Sequence, residues 1–550
     1  MSQIVDRELQ FRVAKVFSNH MVLQREKNIH IFGEGQEGTE VSATLIHADG
    51  EKVTAVTWVE NEKWLVSLPP QKAENGCTVC VEAYKNAVTG SDGEAKETEQ
   101  IACVEYTDVA IGEVWLAGGQ SNMELELKDC KGGLDTLAQD TEPNVRFYYT
   151  QKYGYKNQQF YEAEDWSGWQ TFDEESARAW SAVGYYFARK LSKDLEGVTV
   201  GVIGCNWGGT SASAWMSKEA LLEDKDTASY VDEFEKACEG LSIEEQERIY
   251  DDYEAFKCEW DKKCNEMMAA DPSITWADVE EKLGPSQWPG PMGCKNPYRP
   301  AGLYECMLQR VCPYSLRGFL YYQGESDDHK PRMYYKLFTR LIRQWREDFL
   351  DEELPFLLVQ LPMHQYQGDP DYKHWPVVRE AQMDAYKTIK NTGIAVIIDR
   401  GEFNEIHPKD KLTVGERLTL QALAHVYGKL EAKDAFGPLY DTCILHEDAM
   451  ELCFQYAEDG FCVQGELSGF EVAGMDRVFV KADARIEGNR IFVSAKEVKH
   501  PFYARYLWTN YADVTLYGKN GLPVAPFRTS KKDEEIKELQ SAKIQQIMEV

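Results

Sequence analysis

The first part of the chain alternates hydrophobic and polar positions in short runs, which is the pattern of half-buried β-strands. Runs of this kind lie at 11–16, 29–32, 41–46 and 64–68. Glycine pairs, an Asp-Gly step and a Pro-Pro step separate them, as turns do between strands. The alternation predicts a β-sandwich-like accessory domain over residues 1–105.

Beyond residue 105 the pattern changes to nearly unbroken apolar segments that are separated by helical stretches. These segments lie at 113–117, 198–203, 316–322, 356–361 and 394–398. Strands that are apolar on both faces and alternate with helices indicate a parallel sheet covered by helices on both sides. Residues 106–435 are therefore predicted to form an α/β domain.

Two further regions complete the predicted organisation. A mostly helical insertion is predicted at 218–290, and its residues 218–282 hold 21 Asp and Glu against 8 Lys and Arg. Such charge usually faces water, so a solvated helical cap is favoured over an acidic arm that binds a partner. The chain turns β-rich again over 436–530, and residues 531–550 are predicted to form a charged helical tail.

Length and charge narrow the classes of function. A chain of 550 residues with 43% hydrophobic residues can build several cored domains, and no segment is apolar for long enough to span a membrane. The 92 acidic residues outnumber the 60 basic ones, giving a formal net charge of −32 that repels phosphate backbones and anionic lipids. Neither nucleic acid nor membrane partners are expected, and the sequence does not indicate the oligomeric state.

The beginning of the chain carries charges where a secretory signal has its apolar run, which predicts a cytoplasmic location. The 14 cysteines are then expected to stay reduced. The one close pair, Cys77 and Cys80, is interpreted as structural because no second pair with metal-ligand spacing follows it. Clustered histidines and phosphate-binding loops are also missing from the sequence, so neither a metal nor a cofactor is predicted.

Candidate chemistry follows the predicted strands, because ligands of doubly wound sheets bind at the carboxyl ends of the strands. Ser121, in Gly-Gly-Gln-Ser-Asn-Met at 118–123, can act as a nucleophile or merely cap the next helix. The glycines at 208–209 can expose N–H groups to an oxyanion or form an ordinary tight turn. Gln323 can donate to the same oxyanion, whereas Glu325 fits a supporting hydrogen bond better than a reacting acid.

His407 follows the last of these strands. A neutral imidazole is the usual general base for a serine, and it needs a carboxylate to hold its tautomer. Asp399, Glu402 and Glu405 all lie close in sequence. A lone histidine before a proline can also be structural, but four loops that converge on one sheet edge favour the base.

Four ordered blocks carry a family resemblance: Gly-Gln-Ser-Asn-Met at 119–123, Gly-Gly-Thr at 208–210 followed by Trp215, Tyr-Gln-Gly-Glu-Ser at 322–326, and Ile-His-Pro at 406–408. They resemble the blocks of the sialate O-acetylesterase family within the SGNH hydrolase superfamily. The flanks at 17–25 and 521–528 are also similar to that family's opening and close. The resemblance therefore covers nearly the whole chain.

The resemblance implies an SGNH-type three-layer core that hydrolyses carboxylic esters, typically O-acetyl groups on sugars, without a cofactor. It implies Ser121 as the nucleophile, His407 as the base, and an oxyanion hole formed by the backbone N–H of Ser121, by Gly209 and by Gln323. Family members usually carry an aspartate shortly before the histidine. This chain has Glu405 there, with Asp399 as the reserve acid.

The leading hypothesis is a serine esterase that deacetylates a sugar or an oligosaccharide, either a neutral acetylated xylo-oligosaccharide or an acetylated sialic acid. Trp215, His329 and Arg379 are expected to contact the sugar, although aromatic residues there can equally belong to the core. Two alternatives remain: a non-catalytic carbohydrate-binding protein, and a glycoside hydrolase that uses Glu325 with a second carboxylate.

Overall fold

The computed structural model describes residues 11–85, 99–164, 166–271, 274 and 276–531. The described residues divide into two compact units. The first unit lies within Met1–Thr150, Trp166–Gly209 and Arg310–Val550, and the second within Gln151–Asp165 and Thr210–Gln309.

The strands in chain order are β1 Arg12–Val13, β2 Val22–Gln24, β3 Ile29–Glu34, β4 Glu40–Ile46, β5 Lys52–Trp58, β6 Lys63–Leu68, β7 Glu74–Lys85, β8 Glu99–Gly119, β9 Val145–Tyr149, β10 Trp169–Thr171, β11 Val200–Asn206, β12 Gly318–Tyr322, β13 Phe356–Gln360, β14 Thr392–Val396, β15 Leu439–Leu445, β16 Met450–Gln455, β17 Phe461–Val463, β18 Phe470–Ala473, β19 Val480–Lys481, β20 Asp483–Glu487, β21 Arg490–Ser494, β22 Tyr503–Tyr506, β23 Leu516–Gly518 and β24 Phe527–Arg528.

The α-helices are α1 Ser121–Glu124, α2 Gly133–Gln139, α3 Gln158–Glu164, α4 Glu174–Ala177, α5 Ala182–Asp194, α6 Lys218–Leu222, α7 Lys225–Ala237, α8 Ile243–Ala270, α9 Trp276–Leu283, α10 Gly302–Cys306, α11 Tyr334–Asp348, α12 His374–Thr388, α13 Lys411–His425 and α14 Ala432–Ala435. Short 3-10 helices lie at Leu127–Asp129, Ala212–Trp215, Leu308–Arg310, Glu325–Asp327 and Ile398–Arg400.

The N-terminal region of the first unit consists of β-strands, as the alternation predicts. β4 pairs with β5 and β7, all antiparallel, and β1, β3 and β6 form a separate small sheet. β4 buries Val41, Ala43 and Leu45 and leaves the residues between them partly exposed, so its period-two pattern places one face in the core. The predicted strand at 11–16 is shorter in the structure, where only β1 is extended and paired.

One strand, β8, joins the N-terminal β-region to the α/β core. Its first half pairs with β7 and is largely exposed, whereas every residue from Val109 to Gly119 is buried. This second half pairs in parallel with both β11 and β12. The predicted boundary at residue 105 therefore falls inside a single strand.

The core sheet has the strand order β10-β9-β11-β8-β12-β13-β14, and all its neighbours are parallel except the edge pair β10 and β9. Trp115 packs edge to face on Phe187 of α5, while a Cβ at Gly118 would meet the ring of Trp345 of α11. Residues an odd number apart in a strand point to opposite faces, so helices cover both sides of the sheet. The predicted α/β class is confirmed.

The second unit is mainly helical. Helices α6 to α9 occupy most of the predicted insertion at 218–290, and α8 begins with a capping box between Ser242 and Glu245. Trp260, Cys264 and Val279 form a small buried cluster within this unit. A role as a solvated cap stays a prediction.

The C-terminal region of the first unit holds β15 to β24 in three small antiparallel sheets. This agrees with the β-rich region predicted over 436–530. Before the short strand β19, Arg477 has a left-handed backbone, and its guanidinium lies over the ring of Tyr503. Residues 532–550 of the predicted tail lie outside the described residues. All fourteen cysteines are free thiols. Among the described helices, none combines the length and the apolarity needed to cross a membrane.

Candidate active site

Ser121 lies directly behind the carboxyl end of β8, at the first position of α1. The turn requires a glycine at position 119, where φ is +133°. A Cβ at this position would lie 2.1 Å from the Tyr322 carbonyl oxygen. The first N–H groups of a helix have no partner inside it. Among the described residues, no protein group accepts the N–H of Ser121, so it remains available at the sheet edge.

His407 reaches Ser121 from the loop that follows β14. Its Nε2 lies 2.8 Å from the Ser121 Oγ, and Glu405 Oε1 lies 3.5 Å from its Nδ1. The same Glu405 oxygen accepts the backbone N–H of His407 at 2.8 Å. Burial lowers the pKa of His407, while the Glu405 charge partly offsets this effect. The imidazole is therefore neutral at neutral pH and can accept a proton from the serine.

Asp399, the reserve acid, lies elsewhere in this loop. Its buried carboxylate accepts two hydrogen bonds from Arg417, at 2.5 and 2.8 Å, and another from Arg400 at 2.9 Å. Burial opposes its ionisation, but the two guanidinium groups outweigh burial and hold the pKa of Asp399 below its usual range. Asp399 thus anchors the start of the loop to α13, and Glu405 is the carboxylate beside the imidazole.

The glycine loop after β11 lies against the serine. A Cβ at Gly208 would come within 3.2 Å of the Ser121 Cβ, and the Gly208 N–H donates to Glu124 at 2.5 Å. The chain then turns at Gly209 with φ +74°. Within the described part of the chain, the Gly209 N–H donates to no protein group. Gly209 and Ser121 therefore each offer a backbone donor of the type that an oxyanion requires.

Gln323 follows β12, but its side chain is buried and held inside its own loop. Its Nε2 donates to Asp327 Oδ2 at 2.6 Å, and its Oε1 accepts the Tyr334 hydroxyl at 3.0 Å. One amide N–H is thus already engaged. The predicted donor role of Gln323 rests on its position at the strand end rather than on a contact with Ser121.

Asn122 connects three of the loops, and the sequence reasoning missed it. Its Nδ2 donates to Glu325 Oε1 at 2.6 Å and to the carbonyl oxygen of Ile406 at 2.9 Å. Its Oδ1 accepts from the Nζ of Lys411 at 2.5 Å. The sequence feature that could have identified Asn122 is its position directly after Ser121. Its bond to Ile406, the residue before His407, links the serine to the histidine loop.

The partners of Asn122 are buried ionisable groups. Glu325 is 5% exposed and Lys411 is 0% exposed. Burial raises the pKa of Glu325 and lowers that of Lys411, each to about 7. Such groups keep their place only through hydrogen bonds, because a buried polar group without a partner is costly. Glu325 therefore makes a supporting hydrogen bond, but to Asn122 in the serine loop, whereas the sequence indicated support of its own loop.

The three predicted sugar contacts differ in exposure. His329 is exposed, in the turn that follows Glu325–Asp327. Arg379 is buried, and its guanidinium donates to the backbone carbonyl oxygens of Leu361, Pro362, Thr509 and Asn510. Trp215 is buried in the second unit and donates to the Thr210 hydroxyl at 2.9 Å. The structure thus gives Arg379 and Trp215 scaffold positions, in contrast to their predicted sugar contacts, because burial removes both from solvent.

Comparisons with known proteins show which family the chain resembles. Residues 111–242 and 290–423 match the family model described as carbohydrate esterase, sialic acid-specific acetylesterase. The chain is 27% identical over 451 residues to the sialate O-acetylesterase of Mus musculus, covering 76% of this chain and 74% of that protein. It is 27% identical over 454 residues to the Homo sapiens enzyme of that name, covering 76% and 72%.

A solved structure is similar as well. The crystal structure of a carbohydrate acetylesterase from Xanthomonas citri matches with a TM-score of 0.71 and 26% identity, covering 94% of this chain and 99% of that one. The residues gathered at the sheet edge, Ser121, Gly209, Gln323 and His407, all lie inside the two segments that match the family model.

Proposed function

Because the core of this chain, residues 111–242 and 290–423, belongs to the carbohydrate esterase family of sialic acid-specific acetylesterases, we propose that it removes O-acetyl groups from sugars by a serine mechanism. The chain is a carboxylic-ester hydrolase, like its relatives. The observation that carries the serine mechanism is the 2.8 Å contact between Ser121 Oγ and His407 Nε2. The proposed core is of the SGNH type, supported by the parallel sheet with its site loops at the carboxyl edge.

In the first half-reaction, Ser121 Oγ attacks the acetyl carbonyl carbon while its proton passes to His407 Nε2. Glu405 stabilises the imidazolium that forms. The negative oxygen of the tetrahedral intermediate accepts hydrogen bonds from the N–H groups of Ser121 and Gly209. The bond to the sugar oxygen then breaks, and that oxygen takes the proton from His407.

In the second half-reaction, water replaces the sugar. His407 removes a proton from the water as its oxygen attacks the acetyl group on Ser121, and the same backbone donors hold the second tetrahedral intermediate. The intermediate collapses as the proton on His407 passes to Ser121 Oγ, and the acetic acid that leaves loses its own proton to solvent and becomes acetate. Neither half-reaction draws on a cofactor, and the only protein groups that change protonation are the serine and the histidine.

The two alternative functions are less well supported. A non-catalytic sugar-binding function is disfavoured because the relatives of this chain are carboxylic-ester hydrolases. A glycoside hydrolase needs two carboxyl groups that face each other across a cleft. Glu325 is instead buried and bonded to Asn122.

The substrate class proposed is an O-acetylated sugar or oligosaccharide. The relatives carry two descriptions, sialate O-acetylesterase and carbohydrate acetylesterase, and both are consistent with this class. The test incubates the enzyme with an acetylated xylo-oligosaccharide and, separately, with an O-acetylated sialic acid. Acetate release and reducing-sugar release are measured in parallel, and the acetate signal shows which of the two sugars is a substrate. Acetate release from at least one sugar is expected, and reducing ends without acetate would contradict the proposal.

The serine mechanism is tested by trapping the acylated protein. The enzyme is mixed with a chromogenic acetyl ester, quenched in acid and digested, and the peptide that contains Ser121 is expected to gain the mass of one acetyl group. Ser121→Ala should abolish both the acetylated peptide and ester turnover. Ser326→Ala is the matched control, because it changes a serine in a neighbouring strand-end loop. An acetyl group on another residue would reject Ser121 as the nucleophile.

A further inference from the structure

The N-terminal β-region holds a second cluster of chemically active side chains, none of which takes part in the proposed esterase reaction. His47 follows β4, Glu74 begins β7, and Cys77 lies within β7. Their ligand-type atoms, one imidazole nitrogen, one carboxylate oxygen and one sulfur, all lie within 4.8 Å of one another.

The backbone of β7 is irregular where it supplies two of these groups. In a regular strand, residues 74 and 77 would point to opposite faces, because they are an odd number of positions apart. The pairing of β7 with β8 shifts register between Glu74 and Cys77 and again between Cys77 and Val79. Gly76 between them has φ +79°. Such irregularities re-aim side chains, and here the result is that Glu74 and Cys77 share one side with His47.

Glu74 is at the centre of the cluster. Its Oε2 lies 2.6 Å from His47 Nδ1, its Oε1 accepts the N–H of Ala48 at 3.0 Å, and the Cys77 sulfur lies within 4.8 Å of its carboxylate. Burial, with the nearby Glu74 charge, raises the pKa of Cys77 to about 12. Without a cation the thiol thus keeps its proton, and a cation that binds here must displace it.

A cavity of about 430 Å³ opens beside the cluster. His47 and Glu74 line it, together with the carboxylates Asp49 and Glu51. The cavity has room for an ion and its water. Lys72 also lines it, but the two additional carboxylates outweigh this one positive charge, so the surroundings favour a cation.

We propose that His47, Glu74 and Cys77 bind one Zn²⁺ ion, with water from the cavity in the fourth position. Imidazole nitrogen, carboxylate oxygen and thiolate sulfur are the ligands that Zn²⁺ takes in proteins, and four-coordination is its usual geometry. On binding, the three side chains replace water molecules of the hydrated ion, the contact between His47 Nδ1 and Glu74 Oε2 is given up, and the thiol proton is released to solvent. The thiolate and the carboxylate then balance the two positive charges of the ion. No electron transfer is involved.

Cys77 and Cys80 have the spacing of a metal-binding pair, but Cys80 is not part of the proposed site. The Cys80 thiol lies 3.6 Å from Glu105, away from the three proposed ligands. The ligand set is therefore assembled by the turn after β4 and the irregular start of β7, rather than by two cysteines close in sequence.

The test uses the full-length protein, stripped of metal with a chelator and titrated with Zn²⁺ against a chromogenic competitor. We expect one tight equivalent, and Cys77→Ser and His47→Gln should each weaken it by more than the ~10- to 100-fold that loss of an outer-shell partner costs. Co²⁺ in place of Zn²⁺ should give a thiolate-to-metal absorption band that Cys77→Ser loses. Cys80→Ser is the matched control and should retain both the equivalent and the band.

Glu74→Gln provides a variant at a partly exposed position, in case substitution of the buried cysteine disturbs the fold. It should weaken Zn²⁺ binding while hydrolysis of an acetyl ester, which reports an intact core, stays unchanged. The proposal is overturned if the wild type binds no tight equivalent, or if the ligand variants bind Zn²⁺ as tightly as Cys80→Ser. Either result leaves the esterase proposal untouched, because the two sites share no residue.

Discussion

Two rows of polar side chains lie at the carboxyl edge of the core sheet, and they differ in their contact with water. The reactive row consists of Ser121, His407 and Glu405, and the side chains of His407 and Glu405 are 40% and 42% exposed. The buried row consists of Asn122, Glu325 and Lys411, of which none is more than 5% exposed. Asn122 follows Ser121 directly, and Lys411 lies four residues after His407, whereas Glu325 comes from the loop after β12.

The difference in exposure indicates that the two rows have different roles: the reactive row carries the chemistry, and the buried row holds the loops in position. Even a fully charged pair contributes only ~0–1 kcal/mol when it is exposed, and the resting imidazole is neutral, so the 3.5 Å contact with Glu405 does not by itself fix the position of His407. Buried hydrogen bonds act in a low dielectric, and leaving one partner unsatisfied costs ~1–3 kcal/mol. The bond from Asn122 to the Ile406 carbonyl therefore holds the histidine loop against the serine loop, while the reactive row stays open to substrate.

The largest effect should come from the reactive row itself. Ser121→Ala removes the nucleophile, and loss of the nucleophile from a serine hydrolase lowers kcat by ~10⁶-fold. The thermal midpoint should change little, because the hydroxyl is only partly buried and its lost partner, the imidazole, can bond to water. Steady-state kinetics measure kcat, and a melting curve measures the thermal midpoint. More than a few per cent of wild-type activity in this variant would contradict the assignment of Ser121 as the nucleophile.

The second largest effect should separate the two carboxylates of the histidine loop. Removing the carboxylate of a serine protease triad costs ~10⁴-fold in kcat. Glu405→Gln should cost less, roughly 10²-fold, because the 3.5 Å contact is half exposed.

Asp399→Asn is the matched control. It breaks a buried pair with Arg417 and should lower the free energy of unfolding by ~3–5 kcal/mol while leaving kcat nearly unchanged. Urea unfolding and kinetics on both variants give the comparison. A larger loss of kcat in Asp399→Asn than in Glu405→Gln would reverse the choice of acid.

The buried row should act on kcat through position. Asn122→Ala removes the links to Glu325, Lys411 and the Ile406 carbonyl, and it should lower the free energy of unfolding by ~1–3 kcal/mol and kcat by roughly 10-fold. KM should change less, because the Asn122 side chain is 1% exposed and so is not open to substrate.

Asn296→Ala is the matched control for that variant. Asn296 is equally buried and also donates to backbone carbonyl oxygens, of Pro289 and Pro291, within the second unit. It should lose stability without a comparable loss of kcat. Equal kinetic losses in both asparagine variants would mean that the buried row contributes only stability.

The smallest effect is a shift in pH dependence. Burial lowers the pKa of His407 below 6.5, so kcat/KM, which needs the neutral imidazole, should decline only as the pH falls below about 6.5. The Glu405 charge raises this pKa and the Lys409 charge lowers it. Glu405→Gln should therefore move the acidic limb to lower pH and Lys409→Gln to higher pH, each by less than about one unit. Shifts in the same direction would exclude His407 as the titrating base.

Local patterns predicted much of the architecture. Apolar runs located the strands that became the end of β8, β11, β12, β13 and β14, because strands buried on both faces must be continuously apolar. Parallel strands end at one edge, so residues following β8 and β14 were expected to meet there. Ser121 and His407 meet within hydrogen-bonding distance for that reason.

Local patterns could not predict that one strand belongs to both the N-terminal β-region and the core sheet. The boundary expected at residue 105 lies inside β8, because that strand changes partner from β7 to β11 and β12 without ending. The hydrophobic pattern shows whether one face or both faces of a strand are buried. A strand can pass from one condition to the other without ending, so a change in the pattern is not proof of a domain boundary.

The sequence by itself determined the α/β class, the strand-end positions of Ser121 and His407, and three carboxylates close to that histidine. Only the tertiary structure placed Glu405 beside the imidazole and Asp399 between two arginines, since this choice depends on α13 packing under the loop. It also buried Arg379 among backbone carbonyls and turned Glu74 and Cys77 toward His47. Burial and partners distant in sequence decide which chemically able side chains can meet a substrate or an ion, and neither is a local property of the chain.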